Sequence, residues 1–287
     1  MTQTAEESQS RYGFARNERV TSGTGLTYEY REVGAGQVPL LLLQHFRGNL
    51  DNWDPALVDE LAVDRRVIAF DNAGVGSSSG NTPHNIEQMA IDAIEFVAAM
   101  DLDRIDVLGF SIGSFVAQEV ALIRPDLIRR MTLASSAPKG AEGMHGWSEP
   151  VMNAVGKPGN NPDGYMAVFY TRTMSSRNSG RESLGRMTAR ANDRDAPTSW
   201  ETRLAQYDAV CAWGEPDHSL LQRLSAIEIP VFVTGGDSDP MILPRYSYLL
   251  TGLLPNAELK VYPDAAHGFL FQHHEEFTAD VRAFLAS

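Results

Sequence analysis

The sequence predicts an α/β protein: a mainly parallel sheet covered on both faces by helices and interrupted by one long helical insertion. Three observations predict it. Short apolar runs recur along the chain, segments with helical spacing separate them, and this alternation stops once, between Pro138 and about Pro216.

The candidate strands are PLLLLQ (39–44), RVIAFD (66–71), IDVLGF (105–110), RMTLAS (130–135), PVFVTG (230–235) and ELKVYP (258–263). They are short, apolar and rich in branched side chains, as strands buried on both faces are. Between the second and third runs, NIEQMAIDAIEFVAAM (85–100) places Ile86, Met89, Ala90, Ala93, Phe96 and Val97 at spacings of three and four, which is the apolar stripe of a helix. Parallel neighbours need crossovers, and helices are the usual crossover. Ahead of these elements LTYEYREVG (26–34) alternates apolar and polar residues, the pattern of an antiparallel edge hairpin with the residues before it.

Residues 138–215 are too long for an ordinary loop. They begin rich in Gly, Pro, Asn and Met and continue as helical segments, so they are expected to form a helical cap. The core is then discontinuous, residues 1–137 and 216–287. Trp147, Tyr165, Phe169, Tyr170, Trp200, Tyr207 and Trp213 either line a cavity under the cap or form the cap's own core.

The net charge of −13 repels phosphate backbones and anionic lipid, and no stretch concentrates Lys and Arg, which argues against a nucleic-acid partner. A single cysteine, Cys211, cannot form an internal disulfide, and no His/Cys cluster has zinc-ligand spacing. The polar N-terminus lacks the apolar core of a secretory signal, and no run is long enough to span a bilayer. The expectation is a cytoplasmic protein without metal, cofactor or membrane partner.

Gly109-Phe110-Ser111-Ile112-Gly113 joins a buried strand to the helix candidate SFVAQEVALIRP. A strand-to-helix turn this tight holds the serine in strained dihedrals, and the flanking glycines remove side chains that would clash. Ser111 then stands exposed at the sheet edge with a helix N-terminus behind it, a place that stabilises negative charge. A serine hydroxyl needs a base and usually an orienting carboxylate. VFVTGGDSDPMILP ends one strand with Asp237 and Asp239, and ELKVYPDAAHGFLF carries His267 after the last. Strand ends on one edge of a parallel sheet converge, so these residues can meet. His273 and His274 suit the first turn of a final helix bearing Phe277, Val281 and Phe284, and nothing further promotes His45, His84, His145 or His218.

From about Arg16 onward the chain resembles the α/β-hydrolase superfamily, in its serine-hydrolase branch with a cap between the sixth and seventh strands. The matching stretches are LLLLQHFRGNLDNWDP, VIAFDNAGVGSSSG, GFSIGS, TGGDSDPMILP and AAHGF. The resemblance implies an eight-stranded, mostly parallel sheet with Ser111 as nucleophile, His267 as base and Asp239 as acid. Asp237 is the rival, and the family pattern Gly-x-x-Asp counted from Gly236 favours Asp239. It also implies an oxyanion hole made by the backbone N–H groups of Phe46 and Ile112, although Gln44-His45 stands where the family usually has His-Gly. Arg47 beside it either meets a substrate carboxylate or is structurally paired. FDNAGVGSSSG fails the dinucleotide fingerprint, because Gly74, Gly76 and Gly80 have the wrong spacing and Thr82-Pro83 delays the next helix; it reads as a turn near the mouth of the site.

The expected activity is hydrolysis of small to medium apolar carboxylic esters through an acyl-enzyme. Lactone cleavage, C–C bond hydrolysis and cofactor-free perhydrolysis use the same three residues, and a non-catalytic ligand receptor is the alternative of another class.

Overall fold

In a computed structural model, which describes residues 12–159 and 161–287, the chain forms the eight-stranded sheet that the sequence predicts. The leader-free reading of residues 1–11 lies outside the described residues. The strands are β1 (Glu18–Thr21), β2 (Thr27–Val33), β3 (Leu40–Leu43), β4 (Val67–Phe70), β5 (Ile105–Phe110), β6 (Ile128–Ala134), β7 (Val231–Gly236) and β8 (Ala257–Tyr262), in spatial order β1-β2-β4-β3-β5-β6-β7-β8. β1 and β2 form the expected antiparallel edge hairpin, β2 runs antiparallel to β4, and β3 through β8 are mutually parallel.

Every residue of β3, β4, β5 and β7 is buried, as their unbroken apolar runs require. One polar exception is compensated: Asp106 in β5 receives a bidentate contact from Arg129 at 2.9 and 2.6 Å. The crossover helices are α1 (Pro55–Leu61), α2 (Ile86–Ala99) and α3 (Ile112–Ile123), and the core closes with α8 (Arg245–Leu253), α9 (Phe269–Gln272) and α10 (His274–Ala286). Asn85 caps α2 by accepting the Gln88 amide, and the helix buries Ile86, Met89, Ala90, Ala93, Phe96 and Val97, the stripe read from the sequence. Helix α2 packs on α3, and α1 packs on α10.

Between β6 and β7 the chain inserts α4 (Glu149–Val155), α5 (Pro162–Phe169), α6 (Met174–Thr188) and α7 (Trp200–Trp213), followed by a 3₁₀ helix, His218–Ala226. The cap aromatics divide between lining a cavity, one of the expected roles, and packing onto the core, which was not expected. Tyr165 and Phe169 line a cavity, whereas Trp213 stacks on Phe115 of α3 at 5.0 Å and donates to the Ala137 carbonyl. No helix among the described residues is long and apolar enough to cross a membrane.

The insertion is tied to the core at buried charges. Arg31, 1% exposed, reaches Asp51 at 2.6 Å, and Asp51 accepts the amide of Asp195 from the insertion at 3.1 Å. Arg186 of α6 makes a bidentate contact to Asp54 at 2.8 and 2.7 Å. Beside them the buried carboxyl of Asp71 lies against that of Asp195. Burial first, and the hydrogen bond and charge of Asp195 next, push Asp71 well above the usual carboxylate range, so this contact keeps a proton. A raised folded-state pKa makes the native state bind more protons than the unfolded chain above about pH 4, so the stability contributed by this site falls as pH rises. Asp71→Asn carries no such proton. Its Tm relative to wild type should therefore rise as pH increases above about 4, measured by thermal denaturation across a pH series; a difference independent of pH contradicts the assignment.

Candidate active site

The tight turn after β5 is present. Ser111 caps α3 with φ 57° and ψ −125°, a left-handed conformation unusual for a residue with a side chain. The glycines explain how the turn closes. A Cβ on Gly113 would lie 2.1 Å from the Leu43 carbonyl oxygen, and one on Gly109 2.5 Å from the carbonyl oxygen of Gly113. Ser111 is held by its own amide, which donates to Ala134 at 2.9 Å, while its carbonyl accepts the Ser114 amide at 2.8 Å. The hydroxyl makes no hydrogen bond among the described residues.

The parallel strands bring the other two residues to the same edge, since Asp239 follows β7 and His267 follows β8. His267 Nδ1 and Asp239 Oδ2 are 2.7 Å apart, and the two side chains are each 1% exposed. The remaining oxygen of Asp239 accepts the amides of Met241 at 2.8 Å and Ile242 at 3.0 Å. Three donors therefore fix the carboxylate, and it in turn fixes the imidazole with Nδ1 as the donor nitrogen. Asp237 does something else: its carboxylate accepts the amides of Asp264 at 3.0 Å and Ala265 at 3.2 Å. The rival acid thus braces the loop that carries His267 and makes no contact with the imidazole.

No hydrogen bond joins Ser111 to His267. Phe110, next to the serine, packs its ring 5.0 Å from the His267 ring, and His267 Nε2 is buried and unpartnered among the described residues. Hydrogen bonds of this kind are often formed only with a ligand in place.

The amide of Ile112 opens α3 and has no intrahelical acceptor. The Phe46 amide likewise has no acceptor among the described residues. His45 Nδ1 donates to the Phe46 carbonyl at 2.8 Å, and the His45 amide donates to its neighbour Gln44 Oε1 at 2.8 Å, so the residues standing in place of His-Gly brace the loop from within. The His45 ring packs edge-on against Phe110 and Phe169, each at 5.3 Å, the same two rings that flank His267. Burial pushes its pKa down to about 3. This histidine is consequently a neutral wall next to His267, a placement its sequence position did not reveal. Arg47 is structurally paired: its guanidinium donates to the carbonyls of Val155, Lys157 and Gly159 at 3.0–3.1 Å.

A cavity of about 450 Å³ lies between core and insertion, lined among others by His45, Phe46, Tyr165, Phe169, Met241 and His267. Ser111, 3% exposed, is not part of that lining. The FDNAGVGSSSG segment is the expected turn, closed by the Gly74 amide on the Ser79 carbonyl at 3.0 Å, with positive φ at Gly74, Gly76 and Gly80. Among the described residues one His/acid group has metal-binding spacing, Glu60, His274 and Glu275, on α1 and α10; Glu60 already bonds His274 at 3.1 Å and Thr278 at 2.6 Å.

The model of the alpha/beta hydrolase fold family matches residues 38–274. The chain belongs to the α/β-hydrolase family. Among curated relatives, a putative carbamate hydrolase RutD of Rhizobium rhizogenes is 26% identical over 252 residues, covering 86% of this chain and 92% of the relative. A non-heme haloperoxidase of Rhodococcus erythropolis is 26% identical, covering 93% of this chain and 99% of its own. Among solved structures, an α/β-hydrolase fold protein from Chitinophaga pinensis superposes with a TM-score of 0.91 at 38% identity, covering 96% of this chain and 99% of that one. In this α/β hydrolase, then, the family fold carries an elbow whose geometry depends on Gly113. Gly113→Ala should destabilise the protein by at least about 2 kcal/mol, because backbone and not a flexible side chain blocks the methyl. Gly185→Ala in α6, where a Cβ meets nothing within 4 Å, should instead stabilise it by about 0.5–1 kcal/mol. Urea denaturation of both variants tests the pair.

Proposed function

We propose that this α/β hydrolase is a serine hydrolase that cleaves carboxylic esters through an acyl-enzyme, with Ser111 as nucleophile, His267 as general base and acid, and Asp239 as the orienting carboxylate. The observation that carries the proposal is the 2.7 Å contact between Asp239 and His267, buried on the sheet edge where the strained turn presents Ser111. Residues 138–215 act as the cap over this site.

With Nδ1–H bound to Asp239, Nε2 of His267 carries the lone pair and takes the Ser111 proton as Oγ attacks the ester carbonyl carbon. Negative charge builds on the carbonyl oxygen, and the free amides of Phe46 and Ile112 receive it at the N-terminus of α3. Collapse expels the alcohol, which takes the proton from His267. Water then gives a proton to His267 and attacks the acyl carbon, releasing the acid and restoring Ser111. A neutral His45 suits this cycle, because a second cation near the ring would oppose the imidazolium that forms on His267.

A cavity of about 450 Å³ with Phe46, Val155, Tyr165, Phe169, Leu184 and Met241 on its walls suits an apolar acyl or alcohol group of small to medium size. The carbamate-hydrolase relative belongs by name to the same class of acyl transfer to water.

Wild type should turn over a panel of p-nitrophenyl esters, with a rate that peaks at intermediate acyl length. Ser111→Ala should lose nearly all of that turnover and keep its Tm, since the hydroxyl bonds nothing among the described residues. Turnover that survives in this variant refutes the mechanism. A wild type that releases one equivalent and stops is instead a ligand receptor on this fold. Asp239→Asn should lower kcat by about 10³–10⁴-fold through loss of the correct tautomer. Asp237→Asn, which only loosens the His267 loop, should cost far less, and the opposite ranking reassigns the acid.

A further inference from the structure

Arg47 follows the proposed oxyanion donor Phe46 and has φ 63°, a backbone region that residues with side chains keep only when their surroundings over-determine it. The local turn is closed by the Gly48 amide on the His45 carbonyl at 2.9 Å, and the further anchors of Arg47 come from the insertion. The Arg47 amide donates to Gln206 Oε1 at 2.7 Å, its carbonyl accepts from Thr198 Oγ1 at 2.7 Å, and its guanidinium holds the three carbonyls between Val155 and Gly159. Gln206 lies on α7, 5% exposed and 159 residues away in sequence, and it borders a small cavity together with His45, Ile112 and Gly113. Gln44 and His45 brace the loop from its own segment, through the His45 amide, the Phe46 carbonyl, the Asn49 carbonyl and the Gly48 amide, and the insertion adds Gln206 and Thr198 at Arg47.

A peptide plane is aimed by its two flanking anchors, so the direction of the Phe46 N–H depends on both. We propose that Gln206 and Thr198 are positioning residues for the reaction: through the Arg47 backbone they hold the Phe46 amide where the developing oxyanion needs it. The oxyanion hole is then complete only while the insertion is docked. This inference rests on the serine-hydrolase reading. It adds that two residues outside the hydrolase core set the transition-state contact, Gln206 from behind the loop and Thr198 from the cavity wall.

The test compares wild type, Gln206→Leu, Thr198→Val and Thr198→Ser by Tm, by kcat and KM on the best p-nitrophenyl ester, and by the rate at which a fluorophosphonate labels Ser111. Gln206→Leu and Thr198→Val should lose about 10–100-fold in kcat and in labelling rate, as expected for a misaimed oxyanion donor. KM should stay within about threefold, since the ground-state carbonyl depends little on that donor. Thr198→Ser keeps the hydroxyl and should keep the rate. The inference is overturned if Gln206→Leu and Thr198→Val label Ser111 within about twofold of wild type, if the whole loss lies in KM, or if Thr198→Ser falls as far as Thr198→Val. Should Gln206→Leu not fold, the two Thr198 variants decide. Absence of labelling at Ser111 in wild type removes the serine-hydrolase reading and this inference with it; labelled wild type beside unaffected variants removes the inference alone.

Discussion

The close approach of α3 to the ends of β3 and β5 is the constraint on which the rest of the site depends. At Gly113 the helix backbone touches the carbonyl of Leu43, leaving no room for a methyl. That contact bends the chain sharply enough to put Ser111 at φ 57°, and it aims the first turn of the helix, with its unbonded amides, at the same edge. It also seats the segment leading into Gln44 and Phe46 directly on the helix. One tight contact thus places a hydroxyl, a helix N-terminus and the 44–47 loop together, and a chain that could not pack this closely would lose all three at once.

Around that point the work is divided between core and insertion. The core carries Ser111, Asp239 and His267 on rigid strand ends, and the carboxylate is fully committed to two amides and one imidazole. The insertion supplies no group to this set, yet it reaches the backbone on both sides. Its α5 carbonyls at Val168 and Phe169 accept the amides of His267 and Gly268, and its Gln206 and Thr198 hold Arg47. The segment that shapes the cavity therefore also braces the loops that line it.

The electrostatics point the same way. Buried charges at the seam are matched: Arg31 and Arg194 serve Asp51, Arg186 serves Asp54, and a retained proton reconciles Asp71 with Asp195. Next to His267 the second imidazole is kept uncharged by burial.

How much of this the sequence determined follows from the range of the interactions involved. Strand runs, the helical stripe of α2, the Gly-x-Ser-x-Gly turn and the order Ser, Asp, His are local patterns, and a local pattern is written into consecutive side chains. The sheet and the elbow were legible for that reason. The family pattern favoured Asp239 over Asp237, but the bracing of the His267 loop by Asp237 was not legible, because its partners Asp264 and Ala265 belong to a different loop. Nor were the pairing of Arg47 with the cap carbonyls, the neutral His45 beside His267, or Gln206 and Thr198 at the Arg47 peptide. Each of the latter joins residues about 100 or more positions apart in the chain, or depends on burial that such contacts create. Only the docking of the insertion on the core decides them, since burial and hydrogen-bond partnership belong to the packed surface and to no stretch of sequence.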